Sequence, residues 1–249
     1  MEIHKPHAAK TWREFFIEIG TIVTGILIAL ALEQGLEALH EHKIKKEAQE
    51  AVRDEAEENL YWVKVRERNE PCFRQRLAEI SDLLDHAERQ ESFAFAHHVY
   101  MPIHAKVTTQ VWDANGHAGR TSLFTASEQR NYGNFYFTTG DFQSSQSHEG
   151  DAWAKLGALR GRAKLSQTAV DTLREALAEA RFYNWRALLL IHRTQQWADI
   201  LHLSPGASGL PGSRGSGTTT ALGCPPITDG GDPSRAAAAE RFALPEDAP

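Results

Sequence analysis

Apolar positions divide the chain into an unbroken apolar block, a series of amphipathic stretches and a final stretch with neither pattern. The block runs from Phe15 to Leu32, 18 residues with a single charge at Glu18. Beyond it, Ile44, Ala48, Val52, Leu60 and Val63 recur at multiples of three to four, with Glu47, Glu50, Arg53, Asp54, Glu57 and Glu58 opposite. No breaker intervenes before Pro71, so the pattern predicts one long helix from Thr11 to Arg68. The spacing is nearer four than three and a half, and Glu55 and Glu58 occupy positions where a strict heptad wants apolar residues. That favours a bundle helix over a long coiled coil.

Pro71 fits the first turn of a second helix, where its missing N–H is no loss. Phe73, Leu77, Ile80, Leu84 and Ala87 line one face of it. Gln90 to Met101 reads as a connection, followed by a short helix ending at Gly116 as a C-terminal cap. Thr125 and Glu128 have capping-box spacing, with Phe124 placed as a hydrophobic staple. The helix they start is expected to run through Tyr132, Phe135, Tyr136 and Phe142 to Trp153 and Leu156. Gly133, Gly140 and Gly150 each weaken it by about 1 kcal/mol relative to Ala, and Thr138-Thr139-Gly140 is a candidate break. A last helix from Leu165 to Leu201 carries Leu173, Leu177, Ala180, Leu188 and Ile191 on its apolar face. Asn184 shares that face, so its amide needs a buried partner.

As a helix, the block would be about 27 Å long, against a hydrocarbon core of about 30 Å. Trp12 suits an interface, and Lys10 and Arg13 can reach headgroups. A buried core helix is a poorer match, because 14 residues from Ile19 to Leu32 have no polar face. An interfacial helix also needs a polar face. A cleaved signal peptide is the strongest competitor, with Ala29-Leu30-Ala31 as its cleavage site. Glu18 and the uninterrupted helical pattern argue against it. Lys5, Lys10 and Arg13 lie nearer the block than Lys43, Lys45 and Lys46, which places the N-terminus in the cytoplasm and the bulk of the chain outside it. Glu18, Thr21, Gly25, Ala29 and Glu33 share one stripe, in which Thr21, Gly25 and Ala29 form a small-xxx-small pattern suited to close helix pairing.

Composition changes the picture mainly at the C-terminal end. Seven of the 10 prolines fall after Ser204, among glycine, serine and threonine. Such a stretch buries too little apolar surface to offset the cost of ordering it, so disorder is expected over 204–249. The 27 basic against 33 acidic residues give no electrostatic case for nucleic acid. Cys72 and Cys224 are the only cysteines, too few for a disulfide framework. One bridge between them is open in an oxidising compartment, but two unpaired thiols are expected because Cys224 lies in the stretch assigned to disorder.

Candidate chemistry is sparse. Glu37 with His40, and Asp199 with His202, have the acidic-x-x-His spacing of helical di-metal sites. Two such pairs are what this composition yields by chance, so no metal or cofactor is expected. His97, His98 and His104 cluster loosely, and a solvated loop explains them better than a pH sensor. No nucleophile elbow, P-loop, dinucleotide fingerprint or zinc-type cysteine pair is present. Trp112 and Asp113 with Tyr132, Tyr136, Trp153 and Trp185 are expected to form an aromatic interior, with a ligand pocket between helices as the alternative.

Several N-terminal motifs carry a resemblance. They are Ile3-His4-Lys5-Pro6, Trp12-Arg13-Glu14-Phe15, Glu18-Ile19-Gly20, and Gly25-Ile26-Leu27-Ile28-Ala29-Leu30 with Glu33-Gln34. In these the chain resembles a family of small, uncharacterised bacterial proteins with an N-terminal membrane anchor. A looser likeness continues through Pro71-Cys72, Arg76-Leu77, Trp112-Asp113, Gly116, Ala180-Arg181 and Asn184, to about residue 200. The resemblance implies a single-pass anchor on a helical domain. It carries over no activity and no catalytic residues.

The expectation is an all-α chain. Residues 1–14 form a cytoplasmic or interfacial N-terminus, 15–32 a transmembrane helix, 33–203 a helical bundle and 204–249 a disordered tail. Its expected place is the bacterial inner membrane, with the bulk periplasmic. Its expected role is that of a non-enzymatic interaction or scaffold protein, with the lipid bilayer and a second copy as partners. The alternative is a ligand-binding or enzymatic bundle with a pocket near Trp112, Asp113 and Tyr136.

Overall fold

The computed structural model describes residues 11–91, 96, 99–162, 164–205, 224 and 226–228, apart from the Glu14 side chain. Five α-helices and two short 3-10 turns make up the regular structure: α1 Trp12–Arg68, α2 Glu70–Glu88, α3 Gln110–His117, a turn at Arg120–Leu123, α4 Ala126–Leu156, a turn at Gly157–Leu159, and α5 Gln167–Ile200. Among the described residues, the only β pairing is isolated bridges at Ala96.

The long helix predicted from the apolar spacing is present, and it stops for the reason the sequence suggests. Pro71 has no N–H to offer the Glu67 carbonyl. Asn69 bridges the break, its side-chain amide donating to the Val65 carbonyl at 2.8 Å, and α2 starts immediately after it. At the head of α4, Thr125 Oγ1 accepts the Glu128 N–H while Glu128 Oε2 accepts the Thr125 N–H, and Phe124 is buried beside this capping box. The candidate break at Thr138-Thr139-Gly140 does not form. Both threonine hydroxyls donate back to carbonyls four residues earlier, Asn134 and Phe135, so they are satisfied within an intact helix.

Only the later part of α1 belongs to the bundle. Ala48, Val52, Ala56 and Leu60 pack with Phe124, Phe135, Tyr136, Ala198 and Leu203 in a first apolar layer. Val63, Phe142, Ala187 and Ile191 form a second, and Phe73, Leu84, Trp153, Leu156, Leu173 and Leu177 the core of a third. Through the layers α4 runs with α1, while α5 returns against them.

Two expectations change at the third layer. Cys72 and Cys224 are joined by a disulfide, and Ile227 is fully buried in the layer. The Ile227 N–H donates to Glu79 Oε2 at 2.8 Å, and Thr228 pairs with Ala96. Cys224 and Ile227 are therefore docked on α2, contrary to the expected pair of free thiols in a disordered segment. One covalent bond and one buried isoleucine hold what the surrounding composition would not. The rest of the expected tail beyond residue 205 lies outside the described residues.

Before Ala48, α1 stands alone. Every described residue from Thr11 to Lys43 is exposed, Phe16, Ile22, Leu27 and Leu32 among them. Among the described residues, this is the one helix long and apolar enough to cross a membrane.

Candidate functional site

The stripe predicted on α1 falls on one uninterrupted helix. Thr21 Oγ1 donates to the Ile17 carbonyl at 2.9 Å, so its hydroxyl needs no outside partner. At Gly25, a Cβ would meet nothing within 4 Å. Glu18, Thr21, Gly25, Ala29 and Glu33 are all exposed and open to another helix.

Trp112, Asp113 and Tyr136 are also brought together, in a groove of about 450 Å³ between α3 and α4. Trp112 stacks on Tyr136 with ring centroids 5.1 Å apart, and more loosely on Tyr132 at 6.2 Å. Gly133 lies beside the indole, at a distance where a Cβ would make an ordinary contact of 3.9 Å. Two of its polar groups are committed elsewhere. Asp113 Oδ2 accepts the Thr109 hydroxyl at 2.7 Å, and the Tyr136 hydroxyl points inward to donate to the Val52 carbonyl at 2.7 Å. Burial, and then the neighbouring Glu55 carboxylate, push the Tyr136 phenol well above its usual range. Glu55 itself accepts the N–H groups of Val111 and Trp112 at 2.8 and 3.0 Å, holding the open N-terminus of α3. That explains an acid at a position where a heptad wants an apolar residue. Trp153 lies in the core, but Trp185 does not join the expected aromatic interior. It is exposed on the outer face of α5, beside Phe182.

A second constellation, more deeply buried, went unread in the sequence apart from Asn184. Arg66, Glu70, Glu149 and Asn184 form a polar layer between the second and third apolar layers. Arg66 Nη1 donates to Glu70 at 3.3 Å, and Nη2 donates to Glu149 at 3.2 and 3.3 Å and to Asn184 Oδ1 at 2.6 Å. The Asn184 amide closes the ring on Glu70 at 3.1 Å. The guanidinium lies 3.3 Å from the centroid of the Phe73 ring. Two carboxylates thus face one cation in a site without water-exposed surface at Arg66 or Glu149. Burial pushes the Glu149 carboxyl up and Glu70 adds to the push, while Arg66 pulls it down; the net direction is upward. The Trp153 indole N–H comes near Glu149 without completing a hydrogen bond. The layer has the chemistry of a structural ion cluster, joining α1, α2, α4 and α5.

The acidic-x-x-His pairs stay apart. Glu37 and His40 lie on the exposed part of α1, while Asp199 and His202 sit where α5 ends against Arg53, which donates to the His202 carbonyl. Among the described residues, no three His, Cys, Asp or Glu side chains converge as metal ligands. His104 is exposed, and His97 and His98 lie outside the described residues.

No protein-family model, curated protein or solved structure matches the chain.

Proposed function

We propose that this chain is a single-pass protein of the bacterial inner membrane, anchored by residues 15–32, whose helical bundle works outside the cytoplasm as a non-enzymatic interaction or scaffold module. The observation that carries the reading is the contrast along α1: no described residue covers its apolar first half, while its second half is packed to zero exposure at Val52, Ala56 and Val63. An 18-residue apolar surface left in water would be a severe liability, and a bilayer removes it. The Cys72–Cys224 bridge supports an oxidising compartment for the bundle. In the groove at Trp112 the Asp113 carboxylate and the Tyr136 hydroxyl are already paired, which gives the ligand-binding or enzymatic alternative built on them less support. In the membrane, Thr21, Gly25 and Ala29, flanked by Glu18 and Glu33, are the proposed packing surface for a second copy.

Protease protection with a C-terminal tag, run beside N-terminal sequencing of the mature protein, tests this. Expected are loss of the tag in intact spheroplasts and an N-terminus that still contains Phe15 to Leu32. A mature chain beginning after Ala31 would remove the anchor and with it the reading.

A further inference from the structure

Exposure on α1 does not end with the apolar block. Leu32, Leu36 and Leu39 are each about 70% exposed, and among the described residues their helix has no neighbour until Ile44 and Ala48 turn into the bundle. A stalk crossing water on its own has no use for leucines, yet these three share a face. Ile22, Gly25, Ala29, Leu32, Leu36 and Leu39 follow one another at spacings of 3, 4, 3, 4 and 3. This is the seam of a left-handed coiled coil, and it runs without a slip from inside the apolar block into the stalk. The charges of the stalk, Glu33, Glu37 and Glu41, all fall off the seam.

We infer that residues 22–39 form a parallel two-stranded coiled coil with a second copy of this chain, so that the dimer contact leaves the membrane and continues along the stalk. The inference rests on the anchor reading above and deepens it. Two copies anchored in one bilayer with the same orientation bring their stalks together in parallel, like residue facing like residue. In that register Gly25 and Ala29 permit close approach within the membrane; both glycines of the segment, Gly25 and Gly35, have open space around them. Leu32 and Leu39 take the d positions, with Ile22, Ala29 and Leu36 at a. His42 of one copy comes beside Glu47 of the other, at flanking positions of complementary polarity. Lys43 and Lys46 occupy the next two seam positions and pair within their own helix with Glu47 and Glu50, at 3.8 Å each. Like charges facing across the seam end it at the level where each helix enters its own bundle.

The geometry differs from a simple small-residue crossing. The Thr21, Gly25, Ala29 and Glu33 stripe advances by four, which suits a right-handed crossing from which helices diverge. The 3–4 seam shares Gly25 and Ala29 with it but keeps the two stalks in contact as far as Leu39.

Single-cysteine variants of the full chain in its membrane separate these outcomes. Cys72 and Cys224 are bonded to each other, and no described cysteine is free. Leu36→Cys and Leu39→Cys lie on the seam, while Glu37→Cys and Glu41→Cys lie on the far side; none of the four touches the bundle. Mild oxidation is expected to cross-link the seam variants at least about fivefold more than the far-side ones, as heptad geometry requires. Equal yields, or no dimer, would overturn the stalk contact. An adduct whose mass is not twice that of the chain would overturn the choice of partner. Repeating the experiment with Gly25→Ile separates the two levels: unchanged cross-linking at Leu36 removes the membrane stripe but leaves the stalk. Loss of anchor association by Gly25→Ile, with no seam preference in the parent, removes the stalk alone.

Discussion

Replacing Arg66 with methionine tests the buried polar layer. The guanidinium is fully buried and supplies hydrogen bonds to Glu70, Glu149 and Asn184 at once. Methionine fills much of its volume but leaves two carboxylates without their cation. Breaking a buried ion pair by removing one partner costs about 3–5 kcal/mol. With a urea slope of about 2 kcal/mol per molar, the unfolding midpoint should fall by about 2 M. Tryptophan fluorescence of the full chain in detergent micelles would follow it, since Trp153 lies in the adjacent layer. The loss should also depend on pH. Without Arg66 the Glu149 carboxyl loses its largest downward pull, so its pKa climbs further above the unfolded value of about 4.3. Proton uptake relieves the unpaired charge more as pH falls, so the destabilisation should be smaller at pH 5 than at pH 8. Adding Glu149→Gln to Arg66→Met should recover part of the loss. A midpoint shift below about 0.5 M at pH 8, or a penalty larger at pH 5, would refute the ion-cluster account.

Three further outcomes are expected. Because the folded-state pKa of Glu149 is raised, the stability it contributes is full below about pH 4.3 and is lost as pH rises through the folded value. Glu149→Gln should therefore flatten the part of a Tm-against-pH profile that begins above about pH 4.3, and an unchanged slope there would contradict the raised pKa. Glu55→Ala uncaps α3 and should cost about 1–2 kcal/mol, with faster hydrogen exchange at the Val111 and Trp112 amides; protection equal to the parent would show the carboxylate to be dispensable. Cys72→Ser opens a link spanning 152 residues and should lower stability by about 2–5 kcal/mol. The stretch at Cys224–Thr228 should then become accessible to protease, and a Tm insensitive to both this change and reductant would argue against the bridge.

Helix order and nearly every helix end were legible in the sequence, because each is marked locally: Pro71 at one boundary, Thr125 with Glu128 at another, the spacing of Leu173, Leu177 and Ala180 in α5. The polar layer was hidden for an equally physical reason. Arg66 sits in Lys64-Val65-Arg66-Glu67-Arg68, a run indistinguishable from a solvated face, and Glu149 lies beside Gly150 and Asp151 in another. Only the juxtaposition of four helices makes them interior. Asn184 on an apolar face was the single local signal, and it pointed to the need for a partner without naming one. The docked Cys224 and Ile227 escaped for the opposite reason: their neighbourhood is so poor in apolar residues that composition outweighed two residues with a specific place to go. Trp185 shows that a large aromatic is not thereby interior.

The bridge between Cys72 and Cys224 also sets an order of events. A ribosome adding about 5–20 residues per second needs roughly 8–30 s to pass from the first cysteine to the second. During that interval α2 has emerged with a free thiol, and the apolar space that Ile227 later fills is still open. The nascent chain thus exposes its most reactive side chain early and covers it nearly last. A message truncated after the last helix, between the codons of Leu203 and Cys224, would yield a chain with all five helices possible and the latch missing. Such a product would carry an exposed thiol and a gap in its third layer, two marks by which quality-control proteases tell an unfinished chain from a finished one.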